Sequence, residues 1–164
     1  MNTPTLTARD LIAWVEKTSN GWRNLLAGHP ELLDVPCDIT DVQTVAQLLQ
    51  HLVAVELRYA ERLADLSTTD YADVPYDSVE RIYATHDHAF ALIQKLLDSD
   101  MNWDDPIEFS TRVKGPARST RKTILFHLLL HSIRHYAQLA TLVRQQSVKP
   151  DWAMDYLFMN LKHV

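Results

Sequence analysis

The segment FHLLLHSIRHYAQL (126–139) contains three histidines, His127, His131 and His135, at intervals of four residues. It belongs to a longer apolar stretch with helical periodicity, and residues four apart on a helix share one face about 6 Å apart along the axis. Two imidazoles at that spacing can bind one metal ion at about 2.0–2.1 Å from each nitrogen. Residues eight apart are separated by about 12 Å, so His127 and His135 cannot share an ion. The spacing therefore predicts one metal-binding pair that includes His131.

The position of each histidine around the helix distinguishes the two pairs. At about 100° per residue, His131 and His135 fall within about 20° of the centre of the apolar stripe that contains Leu128 and Leu142. His127 lies about 60° from that centre. We therefore predict that His131 and His135 point into the interior and that His127 lies at its margin.

A second apolar stripe lies on the opposite face of the same helix. A helix that is apolar on two faces needs a second packing partner, and another copy of the chain is the common solution. The stripe predicts a homodimer surface formed by Leu129, Leu130, Ile133, Ala137 and Ala140.

Helical periodicity over most of the chain predicts an all-α fold, an antiparallel four-helix bundle with a short fifth helix at the C-terminus. The sequence has only three glycines, shows no sustained strand alternation and fits a single domain over residues 1–164. The long helices are expected at about 7–27, 40–66, 77–97 and 117–146, and the short one at 151–160.

Individual residues set the expected helix ends and loops. Thr40 is expected to cap the second helix and Asp151 the last one, because their side chains accept hydrogen bonds from free N–H groups of a first turn. Gly21 is expected to weaken the first helix. The segment 99–116 has turn residues and no helical period, so we expect an irregular crossover that borders the site, with Trp103 as a pocket wall.

A metal site requires a third protein ligand, and His51 in QLLQHLVAVELRYAERL is the strongest candidate. A neighbouring helix at about 8–10 Å would bring it within reach of the pair. Three histidines leave one coordination position open for water or substrate, as in catalytic zinc sites. The alternative for His51 is that of most interior histidines, a hydrogen-bonded place in the core.

Other polar candidates stay open at this stage. His86 lies on the apolar stripe of the third helix. We interpret it as a core residue, a pocket-lining residue or an extra ligand, in that order of preference. His29, His88 and His163 are expected at the surface. Cys37 is the only cysteine, so an intrachain disulfide and a thiolate cluster are both excluded.

Residue spacing argues against other metal chemistries of helical bundles. No glutamate is followed by a histidine three residues later, as carboxylate di-iron bundles require, and the H-E-x-x-H pattern of zinc proteases is absent. A hemerythrin-like site needs a carboxylate one turn after a ligand. Glu56 follows His51 by five residues, about 140° around the helix. A mononuclear site remains.

The charge balance of 16 Lys+Arg against 21 Asp+Glu, a net −5, argues against nucleic acid as a partner, because phosphates bind cationic surfaces. No apolar run approaches the roughly 20 residues that span a bilayer, and acidic residues interrupt the start of the chain where a signal peptide would be apolar. We therefore expect a cytoplasmic protein with no membrane partner.

The segment HSIRHYAQLATLVRQ (131–145) resembles the H-x-x-x-H-R-G-Q-L-x-x-L-L-R-Q signature of the DinB/YfiT-like superfamily of metal-binding four-helix bundles. HLVAVELRYAERL (51–63) is similar to the first-ligand helix of that family, and PDWAMDYLFMNL (150–161) to its short terminal helix. The resemblance covers nearly the whole chain. Tyr136 and Ala137 stand where the signature has Arg and Gly.

Carried over position by position, the resemblance implies that His51, His131 and His135 bind the metal. His127 matches a histidine one turn earlier that would line the pocket or support the ligands, and Gln138 matches the signature glutamine, which would support the site. The resemblance also implies one divalent ion per chain, with zinc or nickel favoured over iron or manganese. It further implies a homodimer and a thiol-dependent transferase activity.

Two hypotheses follow. In the first, the protein is a metal-dependent transferase or hydrolase that acts on a small-molecule substrate with a low-molecular-weight thiol such as bacillithiol, mycothiol or glutathione. His127 or His86 would then be the general base. In the second, it is a non-catalytic metal-binding stress-response protein with a structural ion. Closure of the fourth coordination position by His86 or by a carboxylate such as Asp87 would favour the second.

Overall fold

The computed structural model describes residues 3–39, 41–111 and 114–162, which are dominated by four helices. These are α1 (Ala8–Gly28), α2 (Val45–Leu63), α3 (Val79–Leu97) and α4 (Arg121–Gln145). Two antiparallel hairpins accompany them, β1 (Pro36–Ile39) with β2 (Val42–Thr44) and β3 (Pro106–Thr111) with β4 (Gly115–Thr120). The predicted four-helix fold is confirmed, and the two small sheets are additions to it. Within the described ranges, no helix is both long and apolar enough to cross a membrane.

The core consists of two clusters, which we name the Trp22 cluster and the Phe90 cluster. The Trp22 cluster is formed by buried residues from the C-terminal halves of α1 and α4 and the N-terminal halves of α2 and α3. The Phe90 cluster is formed by buried residues from the N-terminal halves of α1 and α4 and the C-terminal halves of α2 and α3. Helices α1 and α4 therefore run in one direction and α2 and α3 in the other. The predicted antiparallel packing holds for α1 with α3 and for α2 with α4, but α2 and α3 are parallel. This arrangement explains the long connection 64–78 between them.

Side-chain caps define where the helices begin. Thr7 and Asp10 form a reciprocal capping box at α1. Thr44, Ser78 and Thr120 each accept a hydrogen bond from the third residue of α2, α3 and α4. These bonds satisfy N–H groups that have no partner inside a helix.

Hairpins replace two predicted helix starts. Helix α2 begins at Val45 rather than near Thr40, because β1 and β2 precede it, and Asp41 occupies their turn with a φ of 62°. Thr40 itself lies outside the described residues. The segment 99–116, predicted to be irregular, contains β3 and the start of β4, and α4 begins at Arg121 rather than near 117. The alternating half-buried residues of β3 pack against the Phe90 cluster.

The C-terminal segment packs along α1 instead of forming the predicted helix from Asp151. Its helical part in the described range is the 3-10 turn Tyr156–Met159. Trp152 packs edge-on against Trp22, with ring centroids 5.0 Å apart, and covers Gly21, where a Cβ atom would overlap the indole. Helix α1 runs through Gly21 without interruption, so this glycine makes room for an aromatic ring and does not mark a weak point.

The second apolar stripe of α4 is only partly exposed. Leu129 lies in the Phe90 cluster and Ala140 in the Trp22 cluster, so these two residues cannot form the predicted dimer surface. Leu130 is 53% exposed, Ala137 is exposed and Ile133 is half-buried. The outer face of α4 therefore retains a smaller apolar strip than the sequence indicated.

Candidate metal centre

The structure brings His51 of α2 together with His131 and His135 of α4. Nε2 of His131 lies 3.1 Å from Nε2 of His51 and 3.1 Å from Nε2 of His135. The three candidate ligand atoms all lie within 4.8 Å of one another. One helical turn separates the two histidines of α4, and the antiparallel neighbour α2 supplies the third. We call this group the histidine cluster.

The arrangement of nitrogen atoms in the histidine cluster fits a metal ion. A neutral imidazole nitrogen carries either one proton or one lone pair, so Nε2 of His131 cannot hydrogen-bond to both neighbours at once. Two nitrogens bound to one tetrahedral ion at about 2.0–2.1 Å lie about 3.3 Å apart, close to the observed separations of 3.1 Å. The cluster could hold one ion without any rearrangement of the helices.

The surroundings keep the imidazoles of His131 and His135 in the neutral form that binds metals. Burial lowers the pKa of His131 to about 2, and the neighbouring His135 and His51 contribute to this shift. Burial also lowers the pKa of His135, although the hydrogen bond to Gln138 acts in the opposite direction. Protons therefore do not compete with a metal ion for these two residues near neutral pH.

Gln138 orients one of the candidate ligands. Nδ1 of His135 donates a hydrogen bond of 2.7 Å to Oε1 of Gln138. With its proton on Nδ1, His135 directs the lone pair of Nε2 toward the cluster. This hydrogen bond is compatible with the supporting role that the family resemblance implies for Gln138.

His127 lies at the exposed margin of the site, where its angular position placed it. Its ring centroid is 5.6 Å from that of His131 and 5.4 Å from that of Tyr59. Burial and the charge of Arg134 lower its pKa, so His127 is neutral near pH 7. A neutral, accessible imidazole beside a candidate ligand can accept a proton.

His86 lies apart from the cluster, in a buried polar network. Its Nδ1 is 2.7 Å from the carboxylate of Glu56, and its Nε2 is 2.9 Å from Oγ of Ser19. Glu56 also accepts a hydrogen bond of 2.7 Å from Ser132. The four residues come from four different helices, and we call them the interhelical network. His86 thus has the core role, and because both ring nitrogens are engaged it is not available as a general base.

Neither residue considered as a fourth ligand reaches the cluster. His86 belongs to the interhelical network, and Asp87 forms an ion pair with Arg23 of α1. Among the described residues, no other His, Cys, Asp or Glu completes a ligand group with the three histidines. The protein part of the site therefore has three donors.

Phe109 of the crossover contacts an aromatic ring beside the site. Trp103 packs on the Phe90 cluster, whereas the ring of Phe109 lies 6.1 Å from that of Tyr59, which contacts His127. His131 and His135 lie near the middle of α4. The candidate site is therefore at the side of the bundle between α2 and α4, and a pocket wall at Trp103 stays a prediction.

The remaining candidates agree with their predicted places where they are described. His29 and His88 are exposed, and His163 lies outside the described residues. Cys37 is half-buried in β1, and its pKa is raised, mainly by burial. A raised pKa leaves little reactive thiolate at neutral pH.

Glu56 links helices in a way that was not predicted from the sequence. A signal was present, because Glu56 lies four residues after Leu52 and four before Ala60, both buried in the structure. A carboxylate on an interior stripe needs a polar partner from another helix. The identity of that partner depends on how the helices pack, which the pattern does not specify.

The fold and the histidine cluster together define a four-helix bundle with a candidate mononuclear metal centre. The sequence model of the DinB family matches residues 1–162, and the chain belongs to the DinB family. A search of curated proteins finds no match to the chain. Family membership confirms the resemblance of the α4 signature, and it is compatible with metal binding by the three histidines.

Proposed function

We propose that the protein binds one divalent metal ion per chain through His51, His131 and His135 and uses it as a transferase or hydrolase acting on small molecules. The observation that carries the proposal is the convergence of the three ligand atoms within 4.8 Å. An all-imidazole donor set suits zinc or nickel, with iron or manganese as alternatives. Membership of the DinB family supports metal binding.

The open side of the cluster supports a catalytic role. Three protein donors leave a position for a further ligand, and the half-buried His51 and exposed His127 mark the side that solvent reaches. When bound, a divalent cation lowers the pKa of an adjacent thiol or water and makes a nucleophile available near neutral pH.

The proposed co-substrate is a low-molecular-weight thiol such as bacillithiol, mycothiol or glutathione, and His127 is the proposed general base. In the transfer reaction, the thiol sulfur forms a bond to an electrophilic carbon of the second substrate. The leaving group departs with its electron pair, and the thiol proton passes to His127. The position of His127 next to His131, with a lowered pKa, supports this assignment.

A second candidate function is that of a metal-binding stress-response protein without catalysis. The burial of two of the three histidines favours it, since His131 and His135 are only 7% and 1% exposed. An ion held there would stabilise the bundle by linking α2 to α4.

A homodimer and a cytoplasmic location complete the proposal. The dimer is supported by the apolar strip on α4 that consists of exposed Leu130 and Ala137 and half-buried Ile133. The location rests on sequence composition alone.

Metal titration tests the first part of the proposal. Chelator-treated protein titrated with Zn²⁺ in a calorimeter should bind one ion per chain. His51→Ala or His135→Ala should weaken binding by more than the roughly 10–100-fold that loss of a supporting residue costs. A free ion concentration of 100 Kd should stabilise the fold by about 2.7 kcal/mol and raise Tm by roughly 5–10 °C. His88→Ala, an exposed control, should behave like the parent, and an equal loss in this variant would contradict the assignment.

A transfer assay separates the two functions. Metal-loaded and stripped protein are compared with several thiols and a generic electrophile, and with esters. Turnover by the loaded form that drops about 10²–10⁴-fold in His127→Gln supports catalysis with His127 as the base. Stoichiometric ion binding without turnover of any thiol or ester favours the structural role.

A further inference from the structure

Arginines lie on both helices that form the histidine cluster. Arg134 precedes His135 on α4, and its Nη2 lies 3.3 Å from Nε2 of His135. This guanidinium therefore lies beside the nitrogen atoms that face the cluster.

Helix α2 contributes two more arginines on the face that carries His51. Arg58 and Arg62 follow His51 by seven and eleven residues, so at about 100° per residue both lie within about 20° of it around the helix. Along the axis they are about 10 Å and about 16 Å from His51. Together they form a cationic stripe that starts at the cluster and runs along α2.

Two aromatic rings contact the guanidinium of Arg62. Its Cζ atom lies 5.0 Å from the ring centroid of Tyr59 and 5.7 Å from that of Phe109. The Tyr59 ring in turn contacts His127 beside the cluster. A guanidinium stacked on rings keeps the N–H groups of its edge free to donate hydrogen bonds.

The carboxylates near this side have other partners. Glu61, the neighbour of Arg62 in sequence, accepts hydrogen bonds from the backbone N–H and hydroxyl of Thr69, and Glu56 belongs to the interhelical network. Within the described ranges, Arg58, Arg62 and Arg134 form no ion pair with a carboxylate, whereas Arg9, Arg23, Arg81 and Arg121 each pair with an aspartate. In a chain of net charge −5, three cations on the two helices of the candidate metal site can attract an external anion.

We propose that this side of the site binds a small carboxylate-bearing molecule, with Arg134 as the nearest cation to its carboxylate and with Arg58 and Arg62 extending the anion-binding surface along α2. A second donor atom of the same molecule, a thiol in the proposed function, is directed at the histidine cluster. This inference rests on the proposed function, because an ion in the cluster adds to the positive charge that the ligand compensates. Guanidinium groups bind carboxylates through two parallel hydrogen bonds.

Matched thiols test the proposal by spectroscopy and without turnover. Protein loaded with Co²⁺ is titrated with 3-mercaptopropionate, 2-mercaptoethanol and cysteamine, and the thiolate-to-cobalt absorption band gives each Kd. The carboxylate thiol should bind about 10- to 100-fold more tightly than the neutral thiol, and the ammonium thiol should bind most weakly. The preference should decrease as ionic strength rises.

Substitutions identify the arginines. Arg134→Gln should remove most of the preference for 3-mercaptopropionate over 2-mercaptoethanol, and the double variant Arg58→Gln with Arg62→Gln should reduce it further for glutathione, whose carboxylates lie farther from the sulfur. Arg144→Gln, at an exposed position in the last turn of α4, is the matched control and should retain the preference.

Each outcome has one meaning. Cobalt binding with equal Kd values for the three thiols, or with no thiol bound, overturns the carboxylate proposal and leaves metal binding intact. A preference that survives in all arginine variants also overturns it. Protein that binds no Co²⁺ removes both the proposed function and this inference.

Discussion

Gln138 is the side chain whose contribution to the candidate site is most local. It lies three residues after His135 on α4, and its Oε1 accepts a hydrogen bond of 2.7 Å from Nδ1 of that histidine. Residues three apart on a helix are neighbours whatever surrounds the helix. The tautomer of His135 is therefore set within one turn of one element.

Gln138→Ala is expected to weaken Zn²⁺ binding about 10- to 100-fold, because His135 loses the acceptor that fixes its tautomer and ring orientation. Gln138→Glu retains an acceptor at the same place and should keep the affinity of the parent or increase it. Calorimetric titration at constant pH measures both. An affinity of Gln138→Ala equal to that of the parent would show that the hydrogen bond does not support the site.

The interhelical network connects the four helices to one another. Glu56 of α2 binds both His86 of α3 and Ser132 of α4, and Ser19 of α1 completes the network at His86. A buried carboxylate is tolerated only with such partners. Because Ser132 stands between His131 and His135 in sequence, the link fixes α4 against α2 next to the histidine cluster.

The network predicts a pH dependence of stability. Burial of His86 lowers its pKa, but the charge and hydrogen bond of Glu56 raise it by more, so the folded-state pKa lies above the ordinary value. This contribution to stability is complete below the unfolded-state pKa of about 6.5 and is lost as pH rises through the folded-state pKa. The lowered pKa values of His131 and His135 affect stability in a different pH range. They reduce the free energy of unfolding as pH falls below about 6.5.

Urea unfolding of metal-free protein as a function of pH measures this effect. The free energy of unfolding of the parent should fall above pH ~6.5, by about 1.4 kcal/mol for each unit by which the pKa of His86 is raised. Glu56→Gln should largely abolish that fall, because the charge that raises the pKa is gone. Ser19→Ala retains Glu56 and should keep the slope at a lower overall stability. Parallel curves for the parent and Glu56→Gln would refute the interpretation.

At the scale of the whole molecule, the C-terminal segment fastens to α1 at several points. Nε1 of Trp14 donates a hydrogen bond of 2.7 Å to the carbonyl oxygen of Met154, and Nζ of Lys17 donates one of 3.1 Å to that of Phe158. Trp152 covers Gly21. The chain thus uses its last described residues to cover the outer face of its first helix.

Gly21→Ala is expected to lower Tm although alanine favours helices. Displacement of the Trp152 indole should cost about 1–3 kcal/mol, which exceeds or offsets the gain of about 1 kcal/mol in helix propensity. Gly28→Ala is the control, because a Cβ atom there meets nothing within 4 Å, and it should be neutral or slightly stabilising.

A double-mutant cycle with Trp152→Ala checks the cause. In that background, Gly21→Ala should lose its penalty and show the propensity gain. An unchanged penalty would mean that Trp152 is not responsible.

The positions of His127, His131, His135 and Gln138 relative to one another were predictable because they lie on one helix with fixed geometry. The two hairpins were missed since β1 and β2 have only four and three residues and the alternation of β3 is short. The cover over Gly21 and the partners of Glu56 join distant segments, and periodicity contains no information on such pairs.

His51 and His131 lie 80 residues apart in the chain. Contacts at such separation close a long loop and form late in folding. The candidate ligand set is complete only when α4 has docked on α2. A chain truncated before α4 would retain His51 without His131 and His135, and so would lack two of the three proposed ligands.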